Sequence, residues 1–319
     1  MLTSRPAHRR TPSRVHRLGA LWVGLALMLA GCAAPTEGAN PSGVASQYGT
    51  PAARPAALQV VAPPAGRLYV GVYPGVGGAE DAITSATLHQ FEAATGQRSA
   101  WVYFSDEWGA GRAFPLTTAQ WIRTEGRIPY IRLMLRSSSD QYVAEPVFTL
   151  ERIARGDFDA DLTAWGRAAH VFATPLMVEY GTEANGQWFS WNGYWHGQNA
   201  NGPALFRVAY RHIVQVIRRS GADNITWVFH LNVDDDPQVD WNRFENYYPG
   251  DDVIDWVGVS VYGAQTPTDP PCPAFRDQLD PIYARLTAMT RRPILIAEMG
   301  VILNAANCNA PNWITSALR

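Results

Sequence analysis

The sequence predicts an α/β chain folded as a (β/α)8 barrel, and three observations carry that prediction. Short apolar runs alternate with helical segments at a spacing suited to βαβ units. Several of these runs are continuously apolar rather than alternating, as expected of parallel strands buried on both faces. Two of them lead directly to a glutamate, Glu183 and Glu298. A carboxylate where such a strand ends stands at the barrel mouth, the face that carries the active site in barrels of this kind.

The elements follow in order. Leu68 to Tyr73 is the first strand, and Leu88 to Thr95 a short helix stopped by Gly96. Ser99 to Phe104 is the second strand; Trp121 and Ile122 lie on the next helix, with Gly126 after it. Ile128 to Leu135 is the third strand, and Leu150 to Phe172 is helical with a break near Gly156 and Asp157. Pro175 to Tyr180 is the fourth strand. The clearest helix runs from Ala204 to Arg219, with Leu205, Val208, Ala209, His212, Ile213, Val216 and Ile217 on one face, Pro203 at its start and Gly221 at its end. Asn224 to Asn232, Val253 to Tyr262 and Pro293 to Glu298 are the fifth, sixth and seventh strands, and Phe275 to Met289 is helical. Trp313 to Arg319 reads as the start of a helix. An eightfold barrel needs one more strand to close, so the expectation is a barrel that stops before its last strand.

The first 31 residues read as a signal peptide rather than as part of the fold. Arg5, Arg9, Arg10, Arg14 and Arg17 form a basic segment, and Leu18 to Ala30 an apolar one too short to span a membrane comfortably. The run Leu29-Ala-Gly-Cys32 looks like a bacterial lipobox, which implies cleavage before Cys32 and lipid attachment to its sulfur. The expected location is therefore outside the cytoplasm, anchored to the cell envelope, in the outer membrane if there is one. Residues 32–66, rich in Ala, Pro, Gly and Ser, read as a flexible tether. Residues 67–319 form the expected catalytic domain.

With 319 residues, 17% of them charged, and a net charge of −2, the chain is suited to neither nucleic acid nor a polybasic membrane contact. There is no Cys/His cluster with metal-ligand spacing and no phosphate-cradling loop with its lysine, so no metal and no cofactor is expected. Asp234, Asp235 and Asp236 lack the spacing of a calcium loop and read as a solvated turn. Cys272 and Cys308 would lie in loops on the same barrel face, where a disulfide or two free thiols are both compatible with the spacing. The chain is expected to work as a monomer.

Two carboxylates with tryptophans close by suggest glycoside hydrolysis: one group protonates the leaving oxygen, the other attacks the anomeric carbon, and flat rings hold sugars. In a retaining enzyme the two carboxyl groups stand about 5–5.5 Å apart, which opposed strand ends supply. A structural salt bridge is the other reading of each glutamate. Trp188 and Trp191 follow Glu183 and read equally as sugar platforms or core. Tyr262 reads as a hydroxyl near Glu298 or one spent on backbone. Asp106, Glu107 and Trp108 follow the second strand, and His230 and Asn232 end the fifth; Trp108 and Asn232 are candidate substrate contacts, and His230 suits a satisfied core histidine.

The residues Gly71-Val-Tyr-Pro-Gly75, Glu183-Ala-Asn-Gly-Gln-Trp-Phe189, Tyr210-Arg-His-Ile213, Gly221-Ala-Asp-Asn-Ile-Thr-Trp-Val228, Tyr248-Pro-Gly-Asp251, Asp255-Trp-Val-Gly258, Tyr262-Gly263 and Ile296-Ala-Glu-Met-Gly300, in this order, resemble glycoside hydrolase family 26 over roughly residues 68–319. That family is best known for β-mannanases and belongs to the clan of retaining (β/α)8 enzymes. The resemblance implies Glu183 as acid/base, Glu298 as nucleophile, Tyr262 beside the nucleophile, and Trp188 and Trp191 on the sugar. It implies endo-acting hydrolysis of a β-linked polysaccharide, with β-mannan leading and mixed-linkage glucan, β-1,3-xylan or an exopolysaccharide open; a non-catalytic carbohydrate-binding protein is the rival. One departure stands out. The family pattern has His directly before the acid/base and Arg three residues earlier, where this chain has Thr182 and Glu179. An arginine there favours an ionised nucleophile, whereas a second carboxylate is expected to raise the acid/base.

Overall fold

The computed structural model describes residues 58–75 and 82–318. The signal segment, Cys32 and the stretch before residue 58 lie outside the described residues.

Seven parallel strands form one sheet in sequence order: β1 (Gly71–Val72), β2 (Trp101–Glu107), β3 (Ile128–Met134), β4 (Leu176–Tyr180), β5 (Ile225–Asn232), β6 (Trp256–Tyr262) and β7 (Ile294–Gly300). The helices are α1 (Ser85–Thr95), α2 (Leu116–Thr124), α3 (Leu150–Ala154), α4 (Asp159–Phe172), α5 (Asn201–Arg219), α6 (Phe275–Met289) and α7 (Ala310–Ala317). The expected run from Leu150 to Phe172 is indeed two helices, parted at Gly156 and Asp157. The first strand is far shorter than Leu68 to Tyr73, and Leu68 is 85% exposed.

The sheet is curled, and one contact demonstrates it. The hydroxyl of Tyr103 on β2 lies 3.1 Å from Glu298 on β7. In a flat sheet these strands would be about 24 Å apart, five spacings of the backbone ladder. Among the described residues β7 pairs only with β6, and β1 only with β2, so this (β/α)8-type barrel stays open by one strand.

Two cores follow from the curl. Outside the sheet, large apolar side chains such as Phe104, Trp165, Phe206 and Phe229 fill the space under the helices. α5 contributes Phe206, Ala209, Tyr210, Ile213, Val216 and Ile217 from one face. Each such fully buried side chain is worth about 1.5–3 kcal/mol of transfer free energy. Inside the barrel, Trp101, Tyr103, Tyr130, Met177, Val228, Trp256 and Leu295 pack against Val60. Val60 donates its backbone N–H to Thr226 and accepts from the Trp256 indole. The packed unit thus begins ahead of residue 67, with a short segment assigned by composition to the tether seated beneath the barrel floor.

Cys272 and Cys308 form a disulfide with Cα atoms 5.5 Å apart, joining the segments that follow β6 and β7. No helix among the described residues is long and apolar enough to cross a membrane.

Candidate active site

Strand parity decides what reaches the interior. On β2 the odd residues Trp101 and Tyr103 face inward; on β3, Tyr130 and Arg132; on β4, Met177 and Glu179; on β5, Val228 and His230; on β6, Trp256, Ser260 and Tyr262. Toward the C-terminal ends these inward positions turn from apolar to polar, so the site stands on an apolar plug.

β7 needs a device of its own. Val259 pairs with Ile296, but Ser260 pairs with Glu298, which leaves Ala297 as an extra residue. This β-bulge breaks the alternation that starts with Leu295 inside and turns Glu298 inward as well. Its carboxylate accepts from Tyr262 at 2.7 Å on one oxygen; the Tyr103 hydroxyl lies 3.1 Å from the other but closer, at 2.6 Å, to Glu179. The Arg132 guanidinium lies 3.9 Å from the second oxygen.

Glu183 arrives differently. β4 ends at Tyr180, and the chain then turns through Gly181 and Glu183, both at positive φ, 67° and 49°. A Cβ on Gly181 would lie 2.4 Å from the Phe206 ring, so glycine is required there on two counts. Left-handed backbone at a glutamate costs on the order of 1 kcal/mol. Surrounding contacts hold it: Trp191 donates its indole N–H to the Thr182 carbonyl, Ala184 N–H reaches the His230 carbonyl, and Asn192 binds the Ala184 carbonyl. Trp188 folds back over Gly186, whose missing side chain leaves it room, and donates to Glu183 at 2.7 Å. Burial first, and the Glu298 charge second, push the Glu183 carboxyl up; His230, Ser260 and Arg132 pull the other way. A buried carboxyl pushed toward its protonated form beside one flanked by an arginine is the division of labour that general-acid and nucleophilic chemistry need.

Glu179, expected to disturb this balance, sits below it, fully buried. It accepts hydroxyl hydrogen bonds from Tyr103, Tyr130 and Thr182, each at 2.6 Å, and faces His230 Nδ1 at 3.0 Å. Burial alone would raise its carboxyl; the paired His230, together with Arg132 and Thr182, outweighs burial and holds it at about 2. The upward push on Glu183 therefore comes from burial and Glu298. The positive charge that the family pattern places on the fourth strand stands here on the third, as Arg132, which donates to Thr182 at 3.0 Å and leans toward Glu298.

The structure brings together Glu183, Glu298, Tyr262 and Trp188. Asn232 lies at the rim, partly exposed, with its side-chain amide on the Asp234 carbonyl. Trp108 and Trp191 fall elsewhere, each 2% exposed. Trp108, the residue after β2, packs on Phe148 in the outer core. Trp191 stacks on Phe189 and braces the Glu183 turn, so its face is closed to a sugar. Asp106 also points outward, accepts from Trp165, and is pushed by burial to about 7. Asp235 is a structural hub that binds Asn185, the Phe244 N–H and Arg285. No group of three metal-ligating residues occurs among the described residues.

Sequence reasoning missed Tyr103, Tyr130, Arg132 and Ser260. The signal for them was a polar or hydroxyl-bearing residue at every second position near the ends of otherwise apolar strands.

Residues 164–307 match the family model described as Glycosyl hydrolase family 26. Endoglucanase H of Acetivibrio thermocellus is 27% identical over 255 residues, 78% of this chain and 26% of that protein. Beta-1,3-xylanase TXYA of Vibrio sp is 29% identical over 117 residues, 36% of this chain and 23% of that protein. The chain thus spans about a quarter of the length of the curated relatives it matches. Among solved structures, the YdhT protein from Bacillus subtilis aligns with a TM-score of 0.58 at 18% identity, covering 78% of this chain and 76% of that one. Bacillus subtilis mannanase man26 aligns with a TM-score of 0.54 at 18% identity, covering 74% and 72%. These structural likenesses establish the barrel-type fold.

Proposed function

We propose that the chain is a family 26 glycoside hydrolase that cleaves a β-linked polysaccharide internally by a retaining double displacement. Glu298 attacks the anomeric carbon while Glu183 gives its proton to the departing oxygen; Glu183 then takes a proton from water, which releases the sugar from Glu298. Tyr262 and Arg132 orient and balance the nucleophile, and Trp188 holds the acid/base carboxyl. No cofactor takes part. The observation that carries this reading is the pairing of a buried, upward-shifted carboxyl at Glu183 with a tyrosine-bound and arginine-flanked one at Glu298. The family match over residues 164–307 supports the same class.

The substrate proposed is a β-glucan, β-1,3-xylan or β-mannan. The first two take their support from the names of the sequence relatives, the third from those of the structural neighbours. Product release from mixed-linkage glucan, β-1,3-xylan, glucomannan and β-mannan, with Glu298→Ala in parallel, is the test. Oligosaccharides from the parent alone establish hydrolysis and name the polymer. A folded parent that cleaves none of them would sink the listed substrates.

Export and a lipid anchor at Cys32 are a separate part of the proposal, resting on Leu29-Ala-Gly-Cys32. Incorporation of labelled palmitate into the parent but not into Cys32→Ser is the corresponding check. A monomer, expected by gel filtration of detergent-solubilised protein, completes it.

A further inference from the structure

Tyr103 on β2 stands between two carboxyl groups, one in the site and one below it. Its hydroxyl lies 2.6 Å from Glu179 Oε1 and 3.1 Å from Glu298 Oε1. A phenol has one hydrogen to give, so one oxygen gains only as the other loses. The neighbouring tyrosines are committed. Tyr262 donates to the other oxygen of Glu298 at 2.7 Å, and Tyr130 to the other oxygen of Glu179 at 2.6 Å.

The surroundings let this hydrogen move. Arg132 Nε donates to the Thr182 oxygen at 3.0 Å, and a guanidinium can only donate, so the Thr182 hydrogen is left for Glu179 at 2.6 Å. With Thr182, Tyr130 and His230 Nδ1 at 3.0 Å around it, Glu179 keeps partners when Tyr103 turns away. At Glu298 Oε1, an Arg132 nitrogen stands 3.9 Å off, so a hydrogen from Tyr103 is the shorter contact. The Tyr103 ring is buried edge-on against Tyr130, centroids 4.7 Å apart. The ring therefore stays, and the motion required is a turn of the hydroxyl about its own C–O bond.

We infer that Tyr103 is a positioning residue whose hydroxyl follows the charge on Glu298: shared by both carboxyl groups in the resting site, it belongs to Glu179 alone once Glu298 carries the sugar. The consequence for turnover rests on the hydrolase reading. In the first step an electron pair of Glu298 becomes the bond to the anomeric carbon, and the carboxylate charge is lost in the ester. In the second step water adds to that carbon and gives its proton to Glu183. The carbon–oxygen bond then breaks, and its electron pair returns to Glu298. Tyr103 turns toward the returning charge and keeps its own proton throughout. It thereby favours charged Glu298 over the ester, which helps the second step and not the first.

Tyr103→Phe removes the hydroxyl and keeps the ring. On dinitrophenyl β-glycosides of mannobiose, cellobiose and xylobiose, whose leaving group makes the second step limiting, kcat and KM should fall together. The expected fall is roughly three- to tenfold, less than a full hydrogen bond to a charged group would give. Their ratio, which reports the first step, should stay within about twofold of the parent. Acid-quenched samples weighed by mass spectrometry should show more glycosyl-enzyme than the parent. Tyr130→Phe takes a hydroxyl from the same Glu179 and should not accumulate it. A kcat/KM that falls as far as kcat, or equal accumulation in Tyr130→Phe, would overturn the inference and leave a structural role. A second measurement needs no turnover. The Tyr103 hydroxyl proton, assigned by its loss in Tyr103→Phe, should move downfield in Glu298→Gln, whose neutral amide stands in for the ester. A parent that cleaves no glycoside yet shows that movement would retire the hydrolase reading and keep the two-position hydroxyl. A proton that does not move, in a parent that cleaves, would retire the hydroxyl's role and keep the hydrolase.

Discussion

The ends of β4 and β7 each deliver a carboxylate to one site, by opposite means. β4 lies mid-sheet, paired on both sides and buried along its whole length, and it presents Glu183 on a strained turn held by at least four neighbouring groups. β7 has a single partner, is mostly half-exposed, and presents Glu298 by a bulge. Glu183 is therefore held through its backbone, by a buried turn whose amides and carbonyls are bonded, and Glu298 through its carboxylate, by the Tyr262 hydroxyl and the nearby Arg132. A substitution near Glu183 should act through stability, and one near Glu298 through chemistry.

The largest expected effect separates the two roles. Glu298→Ala should lower kcat at least ~10³-fold on every substrate. Glu183→Ala should lose about 10²–10⁴-fold on the polymer but much less on an aryl glycoside whose leaving group needs no proton. Equal losses on both substrates would remove the distinction. Next comes the disulfide, which ties the two segments on the open side across a 36-residue separation. Cys272→Ser should cost about 3–4 kcal/mol in urea unfolding if chain entropy dominates. On the β4 side, Gly181→Ala meets both a positive φ and the Phe206 ring, and about 2–3 kcal/mol of destabilisation is expected by the same measurement. Tyr262→Phe should leave stability nearly unchanged and reduce kcat by about 10–100-fold, the worth of one hydrogen bond to a charged group. If it instead unfolds the protein, the Tyr262–Glu298 contact is a structural one. Met299→Lys, 41% exposed on β7, should shift stability by less than about 0.5 kcal/mol.

Much of this was legible beforehand. The apolar runs located all seven strands; for β2 to β6 burial on both faces leaves a continuous pattern that needs no tertiary information, whereas β1 is cut to Gly71–Val72 and β7 is mostly half-exposed. α6 has the expected bounds, and the break between α3 and α4 was visible at Gly156. The two glutamates were legible because carboxylates seldom follow such runs without a purpose. Trp108 and Trp191 show where such reading stops. An aromatic residue close in sequence to a catalytic candidate points inward or outward by strand parity and turn geometry, and composition is blind to both.

The sequence by itself thus determined the parallel α/β architecture, the order of the strands, and the carboxylate pair. The curl of the sheet decided the rest. It carried Tyr103 to Glu298 across what would otherwise be five strand spacings. A single extra residue, Ala297, set the direction of Glu298. Glu179, which reads in sequence as a reversed charge, became the partner of a buried histidine because His230, 51 positions later, arrives 3.0 Å from it. Charge at a distance along the chain has no meaning until folding sets the separation, since the interaction of two groups depends on their distance and burial rather than on their spacing in sequence.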